Sequence, residues 1–281
     1  MKKTINILAF AIVVLFGSCR TVVDWDLQSA EQGLTIESYI STELKPWDVQ
    51  LKRTRDYFDN DPALVVDDAL VTISDDNGKT DTLTHQGSGL YSTVSNRNCT
   101  PGQHYTLDVL FEGDKFSSTE LCREQLEIDT FFYFYQPVKN GFITPGFYVF
   151  ELAQEIATEG DYYQWLVYKN DTLQDDFGYI VDTDEFADFS YFNSNIDLEN
   201  ISLEFLPRPF PFEFDEGDKV VLEQRCINKN FYDYLIEFQT QYDRQGSPFD
   251  APPANPRGNI LGASGYFAVY NVDKRSLVIE P

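Results

Sequence analysis

The sequence predicts a mainly β protein built of two sandwich-like domains, the second carrying one amphipathic helix. Three observations point there. Between residues 33 and 125, short runs alternate apolar and polar residues and are separated by turn chemistry. After residue 126 the runs lengthen and become more aromatic. Only one stretch, 229–245, repeats its apolar residues at the helical period.

The chain opens MKKTINILAFAIVVLFGSC. Lys2 and Lys3 make a short positive region, Ile5 to Phe16 an apolar run, and Gly17 and Ser18 a small pair ahead of Cys19. A helix needs about 20 apolar residues to cross a bilayer, so this run has the length of a signal-peptide core. A cysteine directly after the small pair, with Leu15 upstream, reads as a lipoprotein signal. Residues 1–18 would then be removed, and the Cys19 thiol would carry a diacylglyceryl group. Each buried methylene contributes about 0.8 kcal/mol, and two or three chains hold far more firmly than one. Residues 19–32, with Asp24, Asp26 and Glu31, read as a solvated tether.

The first domain spans 33–125. LTIESYI and WDVQLKR alternate as half-buried strands. ALVTIS, DDNG and KTDTLT make a hairpin in which Asn77-Gly78 suits a type I′ turn, with positive φ at both central residues. GSGLYSTV follows, and then HYTLDVLF, EGDK and FSSTELC make a second hairpin. Some seven strands at this spacing suit an immunoglobulin-like or transthyretin-like sandwich.

The second domain spans 126–281, with strands IDTFFYFY, GFYVFELAQ, DYYQWLVYKN and DKVVLEQRCI around a long Asp-, Phe-, Asn- and Pro-rich stretch at 174–217. In the helix Phe231, Tyr234, Leu235, Phe238 and Tyr242 form one stripe, with Asn228 as N-cap and Gly246 as stop. A proline-rich loop from Ser247 then leads into two closing strands.

Lys and Arg number 21 against 46 Asp and Glu, a net charge of −25. Loss of residues 1–18 removes Lys2 and Lys3 and no acid, leaving 19 − 46 = −27. Such a surface repels nucleic acid, which is excluded as a partner. Cys99, Cys122 and Cys226 remain in the mature chain. In an oxidising compartment Cys99 with Cys122 is the first choice of pair, because the two flank one hairpin. A turn centred near Gly113 sets Cys122 opposite Tyr105 instead, and three buried free thiols are the alternative.

RTRDYFDNDPALVVDDALVTISDDNGKTDTLT, GSGLYST, PGQHYTLDVLFEGDKF and SPFDAPPANPRGNILGASGYFAVY, in that order, resemble a lipoprotein family catalogued as domain of unknown function 4249 and typical of Bacteroidota. The resemblance covers the whole mature chain. It implies a gene neighbourhood with TonB-dependent outer-membrane receptors and an accessory role in nutrient capture, and it supplies no functional residues. The N-terminal half also resembles carboxypeptidase-regulatory-like modules, with VDDALV at Val66 to Val71 placing Asp68 where those modules carry glycine.

Catalytic patterns are weak. His85 and His104 each lie in or beside a strand without a motif around them. GASG, Gly262 to Gly265, is no nucleophile elbow, because Tyr266 replaces the last glycine. DNDP at 59–62 and DTDEFAD at 182–188 are acid-dense but miss the calcium-loop pattern, so no metal and no cofactor is expected. The most pointed binding candidate is Ser247, Pro248, Phe249, Pro252, Pro253, Asn255 and Pro256, whose prolines pre-organise an extended backbone. The competing reading packs this loop on its own domain, with Phe249 in the core, and LPRPFPF at 206–212 shares the same chemistry. Thr82 and Thr172, in two DTL triplets, resemble bacterial O-glycan acceptors.

Three functions are thus in play. The first is a non-catalytic, lipid-anchored outer-membrane accessory or substrate-binding partner of a TonB-dependent transporter. The second is a structural or adhesive surface sandwich, and the third a surface hydrolase. Acids follow Cys19 late and interrupted in RTVVDWD, and the cell surface is the favoured face.

Overall fold

The computed structural model describes residues 33–54, 64–124, 127–137, 145–153, 161–174, 179–182, 214–242 and 255–280. The first half holds β1 (Leu34–Ser41), β2 (Asp48–Arg53), β3 (Leu70–Asp75), β4 (Thr80–Thr82), β5 (Thr84–Gly87), β6 (Leu90–Ser92), β7 (His104–Phe111) and β8 (Asp114–Leu121). The second holds β9 (Ile128–Gln136), β10 (Gly146–Ala153), β11 (Tyr162–Lys169), β12 (Thr172–Leu173), β13 (Tyr179–Asp182), β14 (Lys219–Ile227), the helix α1 (Lys229–Tyr242) and β15 (Ser264–Val278).

Turn chemistry sets the hairpins, though not always at the expected place. Between β3 and β4 only Gly78 has positive φ, at 77°, so Asn77-Gly78 is not a type I′ turn. The Asp75 side chain decides this. Its Oδ1 accepts from the Asn77 and Lys79 amides at 2.9 and 3.0 Å, which fixes a longer loop closed by one left-handed glycine. Two-residue turns with positive φ at both positions occur instead at Ser88-Gly89, Glu112-Gly113 and Asn170-Asp171. The Glu112-Gly113 turn pairs Tyr105 with Glu120, so Cys122 falls beside Gln103 and not opposite Tyr105. KTDTLT, expected as one strand, divides at buried Leu83, where the chain leaves one sheet for the other.

A long sheet runs in the order β12-β11-β14-β15-β1-β2-β6-β5, with β13 also on β11. Its first and last strands in sequence, β1 and β15, pair in parallel, Thr35 with Ser264 through Ser41 with Tyr270. The rest of β15 pairs antiparallel with β14, Cys226 with Asn271 through Lys219 with Val278. Two closing strands were expected, and one continuous strand of 15 residues is found. YFAVY within it is apolar on both faces, as a central strand with layers above and below must be.

Alternation along the strands sorts the cores. Ile36 and Ile40 of β1, Val49 and Leu51 of β2, and Phe267 and Val269 of β15 face Val71, Ile73, Leu107 and Val109 of the four-stranded sheet β4-β3-β7-β8. Farther along the same face, Tyr163, Trp165, Val167, Val220 and Leu222 meet Val149 and Phe147 of the β9–β10 hairpin. On the opposite face Phe231 and Tyr234 of α1 pack on Tyr162, Ile227, Tyr266, Ala268 and Tyr270. The division at residue 125/126 separates β1 from β15, whereas the structure joins them in one sheet. The first core also takes Ile260 from the far end of the chain.

The helix starts where expected, with the Asn228 carbonyl accepting from the Phe231 and Tyr232 amides. The Asn228 side chain is used elsewhere. Its Nδ2 donates to Glu120 Oε2 at 2.7 Å and to the Leu121 carbonyl at 2.8 Å. Residues 243–245 and Gly246 lie outside the described residues. Phe231 and Tyr234 of the stripe are buried, while Phe238 and Tyr242 near its end stay more open.

Gly265 holds the parallel pair together. Its φ is +95°, and a Cβ there would fall 2.1 Å from the Ile36 carbonyl oxygen. Gly102 has φ +83° but open space where a Cβ would sit. Gly265→Ala should therefore lower unfolding free energy by about 3 kcal/mol or more, and Gly102→Ala by only about 1 kcal/mol. Urea unfolding of the two variants checks this, and equal losses would contradict the close approach.

Candidate functional site

One end of the first sandwich opens into a polar cleft of about 310 Å³, lined from Trp47, Asp75, Asn77, Lys79, Asp81, Asn96, Arg97, Asn98, Thr100, Gln103 and Tyr105, with Ile73 at its base. Backbone pairing fixes one wall. Lys45 and Arg97 exchange amide hydrogen bonds at 3.1 and 2.8 Å, the Thr93 amide donates to the Trp47 carbonyl, and the Cys99 amide donates to the Ser41 carbonyl at 2.9 Å. Trp47 N in turn donates to Thr93 Oγ1 at 3.0 Å. The other wall is the β3–β4 turn that Asp75 organises. Arg97 spans the two walls, giving Nε to Asp81 Oδ2 at 2.8 Å and a terminal nitrogen to Oδ1 at 2.5 Å. These bonds hold the Asp81 carboxyl below the usual carboxylate range. Tyr105 Oη accepts from the Thr100 amide at 2.8 Å and donates to Gln103 Oε1 at 3.3 Å, with its ring edge-on to Trp47.

Cys99 and Cys122 are joined as a disulfide, with Cα atoms 6.3 Å apart. The two do not sit on paired positions. Residues 100–103 curl so that Gly102 N donates to the Cys122 carbonyl and Cys122 N to the Gln103 carbonyl, which brings Cys99 back over the end of β8. The bond thus ties the Asn96–Thr100 wall of the cleft to the sheet. Cys226 is free and buried, and burial pushes its thiol up to about 12 despite nearby Arg123.

Two buried polar clusters lie elsewhere. Glu120, at the end of β8, accepts from Asn228 Nδ2 at 2.7 Å, Asn259 Nδ2 at 2.8 Å and Tyr266 Oη at 3.2 Å. Burial still raises its carboxyl above the ordinary value. Under the long sheet's other end, Arg225 Nε donates to Glu223 Oε1 at 2.6 Å, and Lys274 Nζ reaches Glu223 Oε2 at 2.9 Å and Glu43 Oε1 at 2.6 Å. Burial pushes Glu223 up, but Arg225 and Lys274 outweigh it and hold the carboxyl below its usual value. On β10, burial raises Glu151 to about 8, only partly offset by the Trp165 indole N–H nearby and reinforced by Asp273.

The residues singled out in the sequence are not gathered here. His85 Nε2, on a half-buried ring, stands 3.3 Å from Asp67 Oδ1, and His104 Nδ1 is 3.2 Å from Asp76 Oδ2 in an exposed pair, each joining strand to loop. Gly262 and Gly265 of GASG serve backbone geometry, both with positive φ. Thr82 and Thr172 are exposed on short edge strands. Cys19, the acid-dense stretches DNDP and 183–188, LPRPFPF, and Ser247, Pro248, Phe249, Pro252 and Pro253 lie outside the described residues. Asn255 and Pro256 are described, and directly after them the chain is pinned: Arg257 binds Glu237 through N and Nε at 2.8 and 2.7 Å. The cleft itself was missed by sequence reasoning. Its one legible trace is the amide-rich SNRN at 95–98, between a strand and a cysteine.

The fold is that of a mainly β protein with a sandwich at its N-terminal end. The chain belongs to the family described as domain of unknown function (DUF4249), whose pattern it matches over residues 20–276. Among curated proteins no sequence matches it. A two-domain fibronectin type-III segment from chicken tenascin aligns over 70% of this chain and 92% of its own, at 9% identity and a TM-score of 0.20, too low to carry an argument.

Two outcomes follow for the buried groups. In a Cys19→Ala chain, Ellman's reagent at pH 8 should find almost no thiol in the native state, one in denaturant and three after reduction. A second thiol in unreduced denaturant would contradict the Cys99–Cys122 bond, whose removal by paired Ser substitutions should lower stability by about 2–4 kcal/mol. Glu151 binds its proton more tightly folded than unfolded, so its contribution is complete below the ordinary value of 4.5 and is lost as pH rises towards about 8. Glu151→Gln should flatten that decline in urea unfolding between pH 5 and 8, by up to about 1 kcal/mol per pH unit. Parallel pH profiles for parent and variant would refute the assignment.

Proposed function

We propose that this protein is a lipid-anchored outer-membrane accessory of a TonB-dependent nutrient transporter, one that binds and presents rather than transforms. The observation that carries the reading is LFGSC at residues 15–19, which supplies a thiol for acylation directly after a signal-length apolar run. Membership of the DUF4249 family supports it, since the family resemblance implies receptor genes as neighbours. The polar cleft supports the binding role: its walls are held by ladders, a disulfide and an Arg–Asp fork, as a pre-organised recognition site requires. Both histidines are paired with surface aspartates and neither faces a nucleophile in the described residues, which favours binding over hydrolysis. The stretch at 247–256 is a second contact candidate on its sequence alone, and the residue after it, Arg257, is held to Glu237 of α1.

Cys19→Ala should abolish labelling by radioactive palmitate and release the protein from sedimented envelopes. From wild-type cells solubilised in mild detergent, the neighbouring receptor should co-purify with it. A variant that still sediments and keeps its fatty-acid label would remove the anchor. A wild-type protein that runs alone with its receptor present would remove the partnership.

A further inference from the structure

We infer that the cleft at the end of the first sandwich is a binding site for a neutral saccharide unit. This takes the cleft as a binding site, as the reading above does, and needs neither the lipid anchor nor the transporter.

Size comes first. Ligand sites run from about 300 to 1,000 Å³, and the cleft at about 310 Å³ lies at the small end, matching one or two sugar rings rather than an extended polymer chain. The lining is unusual for a small-molecule site, where apolar walls prevail. Here amides, carboxylates, a guanidinium and hydroxyls predominate, over a floor that includes the buried rings of Trp47 and Tyr105.

Much of this polar chemistry is unspent. Among the described residues, the side chains of Asn77, Asn96, Asn98 and Thr100 are exposed and bonded to no other part of the protein, so that water is all a ligand would displace from them. An amide offers two donors and an acceptor side by side, the pattern that neighbouring sugar hydroxyls complement. Trp47 is only 4% exposed and packs edge-on against Tyr105 beneath the cleft.

Charge selects against the alternatives. Asp81 and Arg97 neutralise each other across the cleft, and Asp75 Oδ1 is committed to its own turn. An anionic ligand would meet two carboxylates, and a cationic one would meet Arg97 and Lys79. A neutral, hydroxyl-rich group meets neither penalty and can use both signs of partner.

The test uses the full-length chain purified in mild detergent, applied to a printed array of neutral, sialylated and sulfated glycans. Calorimetry of the best neutral oligosaccharide follows, both free and displayed on a polysaccharide, to separate a soluble ligand from a surface-borne one. Neutral glycans should be retained. The double variant Asn96→Ala/Asn98→Ala should bind about tenfold more weakly or worse, equivalent to about 1.4 kcal/mol. The double variant Thr106→Ala/Thr119→Ala, on the outward face of β7 and β8, should bind as the parent does. Unfolding curves confirm that each variant folds. An array with no neutral hits, a preference for sialylated or sulfated glycans, or an Asn double variant that binds as the parent would each overturn the inference. A blank array beside successful receptor co-purification removes the saccharide and leaves the accessory role; the reverse pair removes the transporter and leaves the saccharide.

Discussion

The Ile36 carbonyl oxygen and the backbone of residue 265 approach so closely that no side chain fits between them. That contact lets the first and last strands of the chain lie side by side in parallel. Gly258 makes a second crossing of the same kind, since a Cβ there would sit 2.0 Å from the Gly265 carbonyl oxygen. With both approaches in place, Tyr266 to Tyr270 become central in a sheet covered on both faces, and every one of them is buried. The first core receives Phe267 and Val269, and the helix packs on Tyr266, Ala268 and Tyr270. One strand therefore serves two layers at once.

Glu120 reinforces that strand where apolar packing cannot. Donors from the start of α1, from the loop before β15 and from β15 itself converge on its two oxygens. Asn259 also clasps the backbone of Phe267, accepting from its amide at 2.9 Å and donating to its carbonyl at 2.8 Å. A buried carboxylate is tolerated only when its lone pairs are met this fully, and removing any one donor leaves the others around an under-solvated charge. The Glu223–Arg225–Lys274–Glu43 cluster does the same for the second half of β15, with the Arg225 guanidinium also lying 4.8 Å over the Tyr270 ring. The cleft sits apart from both clusters, at the loop end of the sandwich. Its polar groups face solvent and can be exchanged for those of a ligand without disturbing the core.

Strand existence was legible because alternation is a local property. LTIESYI, ALVTIS, HYTLDVLF and DKVVLEQRCI all became strands, and FYDYLIEFQTQY became the helix. Misreadings came where a side chain or a distant strand intervened. Asn77-Gly78 looked like a type I′ turn, but the Asp75 carboxylate captured two amides and imposed another loop. The C-terminal run looked like two strands because nothing in it announces that one face of a single strand can change partners halfway. Asn228 read as a cap, and its carbonyl does begin the helix, yet its amide serves Glu120, which lies 108 residues earlier.

What the sequence determined by itself was therefore the inventory: acidic composition, β-rich chain, the helix at 229–242, and cysteines that could pair. Periodicity, turn residues and charge act within a few residues of one another, so they can be read along the chain. Only the tertiary structure decided which strands share a sheet, that the Cys99–Cys122 bond braces a cleft wall, and that Trp47, Asp81 and Arg97 meet around one polar opening. Those outcomes depend on backbone approaches and hydrogen bonds between segments tens to hundreds of residues apart, for which local sequence holds no record.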